Sequence, residues 1–141
     1  MKAIDGLIRL HRWKLDEKRL KLSELERLVA HLQEELRKLE KVVVTERAVA
    51  AGSTEVGYAF GPFAAEAIER RQRIQQSLAE AEGQMQGAHD EVAEAFRELK
   101  KFDIVKSRDL RAAEDRERRR EQVSLDEIGL SLYRRKQDGA A

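Results

Sequence analysis

The sequence predicts an all-α chain, with two long helices forming an antiparallel coiled-coil hairpin and the second helix overhanging the first. Three observations predict it. Of the 141 residues, 39% are charged, 5% are aromatic and one is proline, a balance typical of long helices and coiled coils rather than of layered domains. From Ile8, residues Leu15, Leu22, Val29, Leu36, Val43 and Ala50 recur at every seventh place without a miss. Then AGSTEVGYAFGPF, residues 51–63, interrupts the charged repeats with three of the eight glycines and the only proline.

The first helix is expected over about 4–50. A second heptad row, Ile4, His11, Lys18, Leu25, Leu32, Leu39 and Glu46, accompanies the first and is apolar at four of its seven places. A straight helix of period 3.6 would drift off such a seam, so a supercoiled one is predicted. The turn is expected over about 51–61, with Gly52, Gly57 and Gly61 stopping the helix and letting the chain reverse. Pro62 is read as opening the second helix, because the first helical turn has no intrahelical use for its N–H. A short connection makes the two helices antiparallel neighbours.

The second helix is expected over about 62–135, carried by Ile74, Leu78, Ala81, Met85, Ala88, Val92, Ala95, Leu99 and Phe102 at alternating steps of four and three. With the pivot at Val56, residue i faces roughly 112 minus i. Leu25, Leu32 and Leu39 should then lie opposite Ala88, Ala81 and Ile74 or their immediate neighbours. Ile4 should face the region of Arg108, and the apolar stripe does fade just past Phe102. The remainder of this helix, about 110–135, is an unpaired overhang in a chain read as a single coiled-coil domain, residues 1–141.

Several function classes are excluded. Charge at Lys2, Asp5 and Arg9 leaves no apolar core for a signal peptide. No uncharged run approaches the ~20 residues that span a bilayer. Cysteine is absent, so no disulfide framework or thiolate zinc site is expected. The chain should be soluble and cytoplasmic. It holds no GxxxxGK[ST], HExxH or GxSxG pattern, so no enzyme activity, cofactor or small-molecule substrate is expected. No metal site is expected either, because His11 lies on the seam and His31 and His89 stand alone.

The basic run RERRR, 116–120, is interleaved with Glu114, Asp115, Glu117 and Glu121 and reads as a solvated face rather than a nucleic-acid site. Gly83 and Gly87 make a GxxxG off the seam, among polar neighbours, and this does not carry its membrane meaning.

Two features point outward. Tyr58, Phe60 and Phe63 in the turn either cap the end of the seam or dock on a second protein. In the overhang, Leu125, Ile128 and Leu132, with Leu130 and Tyr133, place apolar groups where the hairpin cannot cover them, followed by Arg134, Arg135 and Lys136. Such a stripe calls for a partner.

In LIRLHRWKLDEKRLKLSELE at 7–26, GYAFGPF at 57–63, EVAEAFRELKKFDI at 91–104 and LDEIGL at 125–130, the chain resembles the FliJ family of flagellar export proteins. The resemblance implies an antiparallel coiled coil, similar to the paired terminal helices of the rotary ATPase gamma subunit, that serves the type III export apparatus. The end bearing both termini would enter the hole of the hexameric flagellar export ATPase, with Leu125, Ile128, Leu132, Tyr133, Arg134 and Arg135 as contacts. The turn end, with Tyr58, Phe60 and Phe63, would reach the export gate. The family also handles export chaperones, and the chain would be peripheral at the inner face of the cell membrane only through its partners. The alternative is a structural coiled-coil adaptor or chaperone-like holdase without an ATPase partner.

Overall fold

The computed structural model describes residues 2–140, all but a short connection in two helices, α1 (Lys2–Ala51) and α2 (Thr54–Ala140), with no strand among the described residues. The chain is an all-α antiparallel hairpin. It falls into two compact units, one formed by His11–Arg97 and the other by the residues up to Leu10 together with those from Glu98 onward.

The heptads of α1 meet their expected burial. All seven residues of the Ile8 row are buried or half-buried, and so are all those of the Ile4 row except Glu46. On α2, each of the nine stripe residues from Ile74 to Phe102 is likewise buried or half-buried. Within the His11–Arg97 unit the most buried side chains are Leu15 and Val29 from α1 and Ala67, Ala81 and Ala88 from α2. The most buried places of α2 in this unit are thus alanines, small side chains that let the axes approach closely there. Ile8 and Leu99 are the buried pair of the second unit.

Ion pairs report the antiparallel pairing independently of the apolar seam. Lys18 Nζ meets Glu91 Oε2 at 3.2 Å, while nearer the turn Arg70 meets Glu35 at 3.6 Å and Arg71 meets Glu40 at 3.3 Å. In the other unit Lys106 Nζ lies 2.7 Å from Asp5 Oδ1. The pivot rule places Asp5 opposite 107 and Glu40 opposite 72, each one place from its observed partner, whereas Glu91 lies three places from the position opposite Lys18 and Arg70 seven from that opposite Glu35.

The turn differs from expectation. It is not a loop over 51–61 but a connection of Gly52 and Ser53, and α2 begins at Thr54 rather than at Pro62. Gly52 N and Ser53 N donate to Val49 O at 3.1 Å and Ala50 O at 3.4 Å, tightening the end of α1 into i→i−3 bonds. Ser53 O accepts the first bond of α2, from Gly57 N at 2.9 Å, so Ser53 occupies the cap position. Glu55 in the first turn suits the positive end of the helix dipole. None of the described residues has positive φ, so the reversal does not use the left-handed freedom of glycine.

Pro62 accordingly sits inside α2. It cannot donate to the carbonyl of Tyr58 four places back, and that carbonyl belongs to a residue open to solvent. Packing explains why the helix tolerates this. Phe60, Phe63, Ala64 and Ala67, all buried or half-buried, continue the phase of Ile74 backward through the proline, so unwinding this segment would expose apolar surface on the seam.

Candidate functional surfaces

The turn end separates its three aromatic residues. Phe60 and Phe63 are half-buried, with ring centroids 6.2 Å apart and planes tilted by 40°, within the range of a favourable aromatic pair. Tyr58 is 82% exposed. Two of the three rings are thus partly covered and one is open to solvent.

Beside the rings runs a groove lined by Leu39, Val43, Val44, Phe60, Ala67 and Ile68 and edged by Glu40, Arg47 and Arg71. Val44 and Ile68 are largely exposed. Sequence reasoning missed this groove, because both residues fall off the heptad rows and only the pairing of the helices brings them together. It also missed Trp13 and Leu20, exposed on α1 seven places apart, although that spacing alone puts them on one helix face.

The far end of α2 contrasts with the hairpin. Every described residue of the range 107–139 is exposed. Nothing covers Leu125, Ile128, Leu132 or Tyr133, nor Arg134 and Arg135. Local side-chain bonds support the helix here: Arg118 with Asp115 at 3.1 Å, Gln122 with Asp126 at 3.1 Å and Gln137 with Tyr133 at 2.9 Å, each between residues three or four apart as helix faces require. At 100° per residue, Leu125, Ile128 and Leu132 point one way while Val123, Leu130 and Tyr133 point roughly the other way. The segment is apolar on two sides.

Two carboxylates at the ends of ion pairs are perturbed by their partners. The hydrogen bond from Lys106, and then its charge, holds the Asp5 carboxyl below its ordinary value, and hydrogen bonding from Arg37 does the same for Glu34. The described residues bring together no group of three side chains able to hold a metal ion, and none of their helices is long and apolar enough to cross a membrane.

A protein-family model, that of the flagellar FliJ protein, matches residues 1–138 of the chain. The chain belongs to the FliJ family. The match takes in the hairpin, its turn and nearly all of the exposed end of α2, so both candidate surfaces lie inside the region that defines the family. FliJ membership assigns the chain to the flagellar export apparatus as a component associated with that machinery. No curated protein and no solved structure matches the chain.

Proposed function

We propose that this FliJ-family chain is the central stalk and escort protein of the flagellar type III export apparatus, working in the cytoplasm and reaching the inner face of the membrane through its partners. In this reading it promotes the hexameric export ATPase, links that ring to the export gate and hands over export chaperones. The observation that carries the reading is the two-sided apolar segment around Leu125 and Leu130, with Val123, Leu125, Ile128, Leu130, Leu132 and Tyr133 all more than half exposed. A groove-shaped partner covers one side of a helix. A ring offers contacts from all sides at once.

Arg134, Arg135 and Lys136 follow that segment and would meet acidic groups at the ring mouth, speeding encounter more than deepening affinity. At the other end Tyr58 offers the gate an exposed ring, with Phe60 and Phe63 half-buried in the same first turns of α2. The apolar groove by Ile68 favours a second reading, an adaptor or chaperone-like holdase without an ATPase partner.

Deletion of residues 122–141 tests the stalk. It removes no buried residue among those described, so melting of the hairpin should change little, while stimulation of the export ATPase should be lost. Leu125→Asp combined with Ile128→Asp should reproduce that loss. Full stimulation by the truncated chain would take the exposed end out of the mechanism. A pull-down that retains chaperones but no hexameric ATPase would favour the holdase.

A further inference from the structure

Along one side of the exposed end of α2, Glu121, Leu125, Ile128, Leu132 and Arg135 succeed one another at steps of four, three, four and three. That is the spacing of a coiled-coil seam. Nothing in the structure covers it: Leu125, Ile128 and Leu132 are 62%, 54% and 58% exposed. Nor is it the unused continuation of the hairpin seam. Extended from Phe102 and Lys106 at the same steps, that seam reaches Val123, Glu127, Leu130 and Arg134, on another side of the helix.

The ends of the row carry opposite charge. Glu121 lies directly before the apolar residues of the row, and Arg135 and Lys136 lie directly after them. A row ordered acid, apolar, base is complementary to its own reverse. With Ile128 on a two-fold axis, Leu125 of one copy falls opposite Leu132 of the other. Glu121 then falls opposite Arg135 or Lys136 at both ends. A parallel pairing would set Glu121 against Glu121 and Arg135 against Arg135, which like charges oppose.

We propose that two copies of this chain pair through Glu121, Leu125, Ile128, Leu132 and Arg135 as an antiparallel, two-fold dimer. The interface is isologous, with one patch serving both chains. Three apolar residues per chain fall short of the ~1,000 Å² that a standing interface clears, so the dimer is reversible and depends on concentration. It concerns the chain alone in buffer and does not rest on the ATPase reading.

Sedimentation equilibrium of the full chain over rising concentration tests it. The mass should climb from 16.2 kDa toward twice that value. Glu121→Lys should weaken pairing roughly tenfold, as should Arg135→Glu with Lys136→Glu, because each sets like charges together at both ends. An equimolar mixture of these two variants should pair as the parent does, since every end then faces its opposite. Leu125→Asp should abolish pairing without loss of helicity in the hairpin. A mass that stays at one chain up to about 1 mM protein overturns the proposal. So does a dimer that Leu125→Asp leaves intact, or a mixture that pairs no better than either variant alone.

Discussion

Lys18 Nζ stands 3.2 Å from Glu91 Oε2, a bond between the two helices that spans 73 positions of sequence. Lys18 interrupts the apolar Ile4 row, and the structure shows what the interruption does. Its ammonium leaves the seam to reach a carboxylate on α2 that also receives Lys21 at 3.7 Å. An apolar side chain at this place would pair as well in several registers, whereas a lysine with one acid in reach favours a single register.

Acid should loosen this link. The hydrogen bond from Lys18, then the charges of Lys18 and Lys21, hold the Glu91 carboxyl below its ordinary value of 4.5. A folded-state value below the unfolded one means that the stabilisation is complete above the unfolded value and is lost as pH falls through the folded one. Asp5 beside Lys106 has the same sign. Urea midpoints should therefore fall as pH drops below about 4.5, and Glu91→Gln should flatten part of that fall. Both side chains of the pair are about two-fifths exposed, so the change is small. An unaltered pH profile in the variant would remove Glu91 as a source.

The seam should respond to truncation in proportion to burial. Leu15 is 3% exposed, and Leu15→Ala should cost about 2–3 kcal/mol in urea unfolding, at the low end for leucine because a two-helix core partly collapses. Leu20→Ala, on the exposed face of the same helix, should stay within about 0.5 kcal/mol. Similar costs at the two positions would contradict the burial pattern.

Pro62 gives a test of opposite sign. Since it occupies the interior of α2 rather than its first turn, Pro62→Ala should restore the bond to the Tyr58 carbonyl and raise stability by about 1–3 kcal/mol. A neutral or destabilising outcome in thermal melts would argue that the helix starts at the proline after all.

The aromatic residues of the turn should separate in the same assay. Phe60→Ser and Phe63→Ser remove half-buried rings and should lower the melting temperature, whereas Tyr58→Ser should not. If Tyr58 docks on the export gate, its replacement should weaken gate binding while melting is unchanged. Intact gate binding by that variant would leave the turn with a capping role only.

Most of the hairpin was legible in the sequence because burial follows a period. Ile8 to Ala50 and Ile74 to Phe102 repeat at 3.5 residues, and only a partner helix explains such a repeat. The start of α2 was misjudged because Pro62 carries a strong local signal, while the opposing signals, Ser53 before Glu55 and the in-phase Phe60, Ala64 and Ala67, are individually weak. The groove beside Ile68 depends on residues about 25 places apart meeting across the pair, which no single-helix pattern encodes. The row from Glu121 to Arg135 was legible in principle, but its charges had to be read together with its apolar residues.

The exposure of every described residue in 107–139 also has a kinetic meaning. Amides of α2 beside Ala81 and Ala88 open only when the hairpin comes apart, so their hydrogens should exchange at rates set by global unfolding. Amides around Leu125 are held by local bonds alone, and an uncovered helix of that length exchanges turns with coil in about a microsecond. One continuous helix therefore runs on two clocks. A partner that grips the fast end must supply the ordering as well as the contacts, and protection appearing there after mixing would time the moment of capture.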